Sequence, residues 1–141
     1  GESSFNYVKN APAYSGIKKR KYDTTNPNIE KINVKLETLD NAIPENTKID
    51  LIKIDVEGAE LQVLKGGANI LKNNKPIVIF EFGLGASDFY GTKPEEIYNL
   101  LNDAGLKIKT LKSFINNKKN LSLQNFNDLY NSNKEYYFIA S

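Results

Sequence analysis

At 141 residues and 40% hydrophobic composition, the chain is long enough for one domain with its own core. It has no Cys and no His, which excludes thiol nucleophiles, disulfides, His proton relays and the usual zinc sites, so acid–base chemistry must come from carboxylates, Lys or Tyr. The net charge of +2 is too small to indicate nucleic acid or an anionic membrane as the partner, and without an apolar stretch of about 20 residues we expect a cytoplasmic protein.

The first forty residues predict short extended segments joined by turns. Phe5 to Val8 predicts a short strand, Ile17 to Tyr22 a second extended piece, and Ile32 to Leu39 alternates apolar and polar residues as a half-buried strand does. We interpret the basic run 18–21 as a solvated loop or edge-strand face rather than a phosphate-binding patch. Residues 1–40 are therefore expected to form an irregular β segment at the periphery.

The middle of the chain predicts strand, helix, strand. Asp50 to Val56 is short, mostly apolar and bounded by polar turns, which predicts a central parallel strand covered on both faces. Gly58 is predicted to open a helix that Gly66-Gly67 loosens, with one apolar face formed by Leu61, Leu64, Ala68 and Leu71. Pro76 to Phe82 repeats the pattern of a buried strand.

A second helix is predicted after a Gly-rich loop. Thr92 is its expected N-cap, Glu95 closes a capping box, and Gly105 stands at the position of a C-terminal glycine cap. Further elements are predicted near 106–111 (strand), 123–130 (helix) and 136–140 (strand). This order predicts an α/β fold for residues 41–141, with mainly parallel central strands and an antiparallel pair at the C-terminal edge of the sheet, in a single domain 1–141.

Carboxylates follow both central strands, at the edge where open α/β sheets bind ligands. Asp55, Glu57 and Glu60 come after the first strand and Glu81 ends the second. Such a group could hold a divalent cation, act as a general base toward a hydroxyl, or accept hydrogen bonds from a polar substrate. Acids at a helix start are also favourable for the helix dipole alone, and Glu81 could simply pair with a lysine, Lys53 or Lys65. The residues themselves leave these alternatives open.

Four stretches in order resemble the FkbM methyltransferase pattern: Leu39-Asp40, the run from Ile49 to Leu61 with Lys-Ile-Asp-Val-Glu-Gly-Ala-Glu at its centre, Val63 to Gly66, and Lys75 to Glu81. The resemblance implies a Rossmann-like class I methyltransferase. Such an enzyme transfers a methyl group from S-adenosylmethionine to a hydroxyl of a sugar, glycan or polyketide-like acceptor.

The resemblance also implies roles for the carboxylates. Asp55 matches the acid that faces methyl donor and acceptor, and it is the one residue here assigned to contact the donor. Glu57 and Glu60 match acids that shape the site or orient the acceptor hydroxyl, and Glu81 matches an acid near the acceptor. Catalysis is then expected from alignment of the reacting atoms, with a carboxylate helping the oxygen to lose its proton. No residue is assigned to a metal.

The chain departs from the family pattern at its start. The Gly-rich loop and the acidic residue that hold the donor's methionine and ribose portions have no counterpart here. We therefore expect a C-terminal portion that supplies the acceptor-side half of the enzyme and is inactive when isolated, with an uncovered sheet edge through which two copies could associate. The alternatives are a noncatalytic binding or assembly module and, less favoured, a metal-dependent hydrolase.

Overall fold

The computed structural model describes all residues, 1–141, as six strands, six α-helices and two short 3₁₀ turns. The strands are Glu2–Val8 (β1), Ile29–Lys35 (β2), Leu51–Ile54 (β3), Ile77–Glu81 (β4), Ile108–Thr110 (β5) and Tyr137–Ala140 (β6). The helices are Leu39–Ala42 (α1), Glu60–Gly66 (α2), Ala68–Asn74 (α3), Pro94–Asp103 (α4), Leu111–Ile115 (α5) and Leu123–Ser132 (α6), and the 3₁₀ turns are Pro12–Tyr14 and Ser87–Tyr90. None of these helices has the length and apolar character needed to cross a membrane.

An antiparallel hairpin of β1 and β2 forms a sheet of its own at the N-terminus. The strand predicted at Phe5 is confirmed, and β2 ends at Lys35 because the Thr38 hydroxyl accepts the Asn41 N–H and begins α1. The prediction of a second extended piece from Ile17 to Tyr22 is wrong, because no strand forms there. The backbone N–H of Lys18 donates instead to the Tyr90 hydroxyl at 3.0 Å, so this segment is tied to a distant loop rather than to a strand.

The main sheet has four strands in the order β3-β4-β6-β5. β3 and β4 are parallel, whereas β6 runs antiparallel to both of its neighbours. The sheet is thus mixed, and the antiparallel C-terminal edge that the sequence predicts is confirmed. The prediction of mainly parallel central strands is wrong, because β3 and β4 form its single parallel pair and the central strand β4 is antiparallel to β6. Its carboxyl-terminal edge at β3 and β4 carries the predicted acidic residues just beyond Ile54 and at Glu81.

β3 is an edge strand, so its prediction as a central strand covered on both faces is wrong. Leu51 is 56% exposed, and Lys53 also faces solvent. The physical reason is that helices cover only one face here. That face carries the core, whose strand residues are Ile54, Val78, Phe80, Phe138, Ala140 and Ile108 and whose helix residues include Leu61, Leu64, Leu71, Ile97, Leu101, Phe126 and Tyr130.

The glycine pair divides the first predicted helix into α2 and α3, as expected. Gly67 lies so close to α1 that an added Cβ would stand 3.1 Å from Leu39 Cδ1, which favours glycine there for packing reasons. Ala68 is exposed, contrary to the predicted apolar face, and Ile70 is the buried residue of this turn. The break changes the direction of the chain, so the helical spacing counted through it no longer applies.

The start of α4 differs from the prediction by one residue. Lys93, not Thr92, is the N-cap, and its backbone N–H donates to the Glu96 carboxylate at 3.0 Å. Glu95 instead accepts a hydrogen bond from Asn127 of α6 at 2.8 Å, which joins the two helices. The cap at Gly105 is confirmed, since its φ of +85° is one that glycine adopts without strain.

Asp40 stabilises the start of α3 from outside the helix. Its two carboxylate oxygens accept the backbone N–H groups of Asn69 at 3.0 Å and Ile70 at 3.1 Å. We expect Asp40→Ala to lower the free energy of unfolding by about 1–2 kcal/mol, because two helix N–H groups lose a charged acceptor. Urea denaturation followed by circular dichroism measures this, with the exposed Asp23→Ala as control. Equal midpoints for the two variants would contradict the capping role.

Candidate functional site

Two pockets meet at the carboxyl-terminal edge of β3 and β4. The larger, of about 930 Å³, lies between the N-terminal hairpin, α1 and the start of α2, and Asp55 and Glu57 line it. The smaller, of about 110 Å³, is lined by Glu57, Glu60 and Glu81 with the loop that follows β4. Glu57 is the one acidic residue that lines both, so it forms part of the wall between them.

The turn after β3 has an uncommon backbone. Glu57 adopts φ +56° and Gly58 φ +104°, two consecutive residues with positive φ. A Cβ on Gly58 would stand 2.5 Å from the Ala86 carbonyl oxygen, so the turn and the loop after β4 are in backbone contact. A left-handed conformation is uncommon for a residue such as Glu57 and costs roughly 1–2 kcal/mol. Surrounding contacts must therefore hold this turn in place.

Glu60 closes the same turn from inside the protein. It is only 3% exposed, and its Oε1 accepts the Gly58 N–H at 3.0 Å. Burial raises the pKa of Glu60 above its ordinary value, and although backbone N–H groups oppose that shift, the negative charge of Glu81 adds to it. Glu60 is thus a structural acid of the turn that also lines the small pocket.

The raised pKa of Glu60 predicts a pH dependence of stability. In the pH range between its ordinary value of 4.5 and the higher folded-state pKa, the folded chain binds more protons than the unfolded chain. The contribution to stability is therefore fully present below that range and is lost as pH rises through it. Glu60→Gln keeps an oxygen for the Gly58 N–H without a charge, so we expect this decline to disappear and the variant to be more stable than wild type at neutral pH.

Thermal unfolding across the acid-to-neutral range checks this expectation, with the exposed Glu45→Gln as control. A wild-type chain whose stability rises over the same range, relative to Glu60→Gln, would contradict the buried, proton-retaining carboxyl.

Asp55 and Glu81 lie on the more open face of the sheet. Asp55 Oδ2 accepts a hydrogen bond from Lys53 Nζ at 2.7 Å, and this interaction raises the pKa of Lys53. Glu81 is the neighbour of Tyr137 across β4 and β6, where hydrogen bonding with Glu81 and its negative charge raise the pKa of the Tyr137 hydroxyl. Neither predicted lysine forms a salt bridge with Glu81, because Lys53 pairs with Asp55 and Lys65 with Glu96.

Arg20 is a site residue that the sequence interpretation missed. Its guanidinium forms an ion pair with Glu57, and it also lines the small pocket. The interpretation of the whole run 18–21 as solvated is wrong for this residue, since the Arg20 side chain is only 20% exposed. The spacing of the residues did not single out Arg20, because it lies in a run of four consecutive basic residues. The one usable hint was the nearby Tyr14 and Tyr22, since arginine stacks on aromatic rings.

The structure divides the predicted acidic group into two sets joined by Glu57. Asp55 and Glu57 face the large pocket, whereas Glu57, Glu60 and Glu81 surround the small one. The carboxylates do not bring three ligands together around one point at which a metal ion could bind. An arrangement of this kind can accept hydrogen bonds from hydroxyl groups and attract positive charge.

A comparison with protein-family models shows to which family the chain belongs. The model of the methyltransferase FkbM domain matches residues 2–108, well over half of the chain. The chain belongs to the FkbM methyltransferase family. Comparisons with curated proteins and with solved structures find no match.

Membership of the FkbM family extends the resemblance beyond the motif at both ends. The match includes β1 and β2 and continues through α4 to the start of β5, so the N-terminal hairpin belongs to the family domain. Within the motif, the structure separates two kinds of acid: Asp40 caps a helix and Glu60 supports a turn, whereas Asp55 and Glu57 reach the large pocket.

Proposed function

We propose that this FkbM-family chain supplies the acceptor-side half of a Rossmann-like, S-adenosylmethionine-dependent O-methyltransferase that acts on a hydroxyl of a sugar, glycan or polyketide-like acceptor. The observation that carries the proposal is the position of Asp55 and Glu57 at the wall of the large pocket, within a chain of this family. At about 930 Å³, the pocket has the size of a small-molecule site, for which about 300–1,000 Å³ is usual.

The lining of the large pocket suits part of the donor. Val56, Ala59 and Val63 form an apolar wall, and the Asp55 and Glu57 carboxylates lie beside it. Negative charge next to an apolar surface favours a positively charged sulfonium group. For the methionine and ribose portions, the chain offers no Gly-rich turn between a strand and a helix besides Glu57-Gly58. We propose that polypeptide outside these 141 residues holds those portions.

In this proposal Glu57 is the residue that receives the acceptor hydroxyl. Arg20 pairs with its Oε2, and no hydrogen bond within the protein engages its Oε1. Oε1 would accept a hydrogen bond from the acceptor and take its proton as the oxygen becomes a nucleophile. Asp55, held by Lys53, would orient the reactants from the other side, while Glu60 and Glu81 shape the small pocket for the rest of the acceptor. When bound, the donor supplies an electrophilic methyl group.

Methyl transfer by the full product of the gene tests this function. S-adenosylmethionine with a labelled methyl group is incubated with sugars, glycans and hydroxylated polyketides, and the products are analysed by NMR for the atom that carries the label. We expect a new O-methyl group, and no transfer by the 141-residue chain alone. Label on nitrogen or carbon would contradict the proposed acceptor chemistry, and transfer by the isolated chain would contradict the proposed division of the site.

A noncatalytic binding or assembly module is the second candidate. It is favoured by the ion pairs that Asp55 and Glu57 already form within the protein, Lys53 with Asp55 and Arg20 with Glu57, which leave both carboxylates less available for chemistry. Such a module would retain affinity for a glycan or a protein partner without transferring methyl groups. Acceptor binding by the gene product without any methylated product, at saturating donor, would support it over the enzyme.

A further inference from the structure

The Arg20 side chain makes two contacts at the site, one with an aromatic ring and one with a carboxylate. Its guanidinium carbon lies 5.2 Å from the centre of the Tyr14 ring, and Tyr14 packs edge-on against Tyr22 at 6.3 Å. The same guanidinium also meets the Glu57 carboxylate. A guanidinium that contacts both an aromatic ring and a carboxylate is more restricted in orientation than a lysine or arginine in solvent.

The segment that carries Arg20 is held by hydrogen bonds on the N-terminal side of Arg20. Before it, Gly16 and Asn6 exchange backbone hydrogen bonds of 2.8 and 3.1 Å, and the Asn6 side chain donates to the Ile17 carbonyl at 2.9 Å. Within it, Lys18 donates from its backbone to the Tyr90 hydroxyl and from its side chain to the Phe89 carbonyl at 3.3 Å. The segment therefore connects the hairpin to the 3₁₀ turn after β4, across the edge of the sheet that carries Glu57.

Glu57 requires such support because its backbone is left-handed at φ +56°. Its side chain makes no protein hydrogen bond or ion pair other than that with Arg20. Both side chains are mostly shielded from water, at 20% and 25% exposure, so the interaction is screened less than a surface pair. Without Arg20, no other hydrogen bond or ion pair within the protein would hold the Glu57 carboxylate.

We propose that Arg20 is a positioning residue, which fixes the Glu57 carboxylate at the wall between the two pockets so that Oε1 faces the acceptor. This role rests on the proposed function. In this proposal the segment 16–22 brings the Arg20 cation to the acidic edge of the sheet, where Tyr14 packs against it.

The first test does not depend on methyl transfer. The chemical shift of the Glu57 carboxylate carbon is measured by NMR in the 141-residue chain and in Arg20→Gln, with Lys19→Gln as the control. Lys19 is exposed and adjacent, and its substitution changes the net charge equally. We expect a shift in Arg20→Gln that is absent from Lys19→Gln, accompanied by changes in the Tyr14 ring signals. Identical Glu57 shifts in the two variants would overturn the proposal.

The second test separates positioning from support of the fold. In the gene product, Arg20→Gln is expected to lower kcat roughly 10- to 100-fold with KM for the donor unchanged, because a misplaced carboxylate affects the reacting geometry more than binding. Arg20→Lys should recover part of the loss, and Lys19→Gln should have none. Equal losses in Lys and Gln variants, or a change confined to KM, would overturn the positioning role. Absence of transfer in every variant, wild type included, would contradict the proposed function, while the carbon shift still decides the role of Arg20.

Discussion

Replacing Gly58 by Ala is expected to lower the free energy of unfolding by about 3 kcal/mol or more, a large part of the stability of a domain this size. Two costs combine at this position. The φ of +104° is unfavourable for any residue with a side chain, and the new Cβ would stand 2.5 Å from the Ala86 carbonyl oxygen. Both backbones are held in place, because Glu60 accepts the Gly58 N–H and the Ala86 carbonyl accepts the Phe89 N–H at 3.2 Å.

Gly85→Ala is the matched control for this substitution. Gly85 has a similar φ of +95°, but nothing lies within 4 Å of the position its Cβ would take. Gly85→Ala should therefore lower the free energy of unfolding only by the cost of its backbone conformation, about 1–2 kcal/mol. Urea denaturation of both variants measures the difference, which reports the contact between the turn and the loop after β4. Equal costs would show that this close contact does not exist in solution.

Glu57→Gln is expected to lower kcat for methyl transfer roughly 10²- to 10⁴-fold in the gene product, because an amide cannot take the proton of the acceptor hydroxyl. Asp55→Asn should have a smaller effect, since Asp55 is proposed to orient the reactants and Glu57 to take the proton. Initial rates at saturating donor and acceptor measure both effects. Circular dichroism establishes whether the Glu57 variant, which also weakens its pair with Arg20, remains folded.

Glu37→Gln is the control for the Glu57 substitution. Glu37 lines the same large pocket, at the junction between β2 and α1, and it is exposed. Its substitution removes the same charge from the same pocket and should leave kcat unchanged. If Glu57→Gln and Glu37→Gln have equal rates, the pocket provides only a general negative potential, and the noncatalytic module becomes the better account.

The sequence predicted the elements whose signals are local. Buried apolar runs predicted β3 and β4, the glycine pair predicted the end of α2, and Gly105 predicted the end of α4. The sequence could not show whether β3 lies in the centre or at the edge of the sheet. An apolar run shows that a strand can be buried, but not whether helices or further strands cover each face, and here Leu51 remains exposed.

The predicted acidic residues lie together at one edge of the sheet, but the sequence did not predict how they are arranged there. The positive φ of Glu57 directs its side chain to the wall between the pockets, whereas an extended backbone would have aligned it with Asp55. Arg20 approaches from a segment 37 positions earlier in the sequence, and no local pattern encodes that contact. Family resemblance identified the motif residues as a group, and only the structure separates helix caps such as Asp40 from residues that face a pocket.

Mapping of the donor on the gene product by amide NMR tests the central claim most directly. S-adenosylhomocysteine, the product form of the donor, is titrated into isotope-labelled protein, and the backbone shifts of these 141 residues are followed. We predict that the largest changes within this chain lie at Asp55 to Ala59 and along the α2 side of the large pocket, at Gln62 and Val63. Changes concentrated instead around the distant pocket beside α6, at Asn125 to Lys134, or none at all, would contradict the assignment of the β3–β4 edge as the methyl-transfer site.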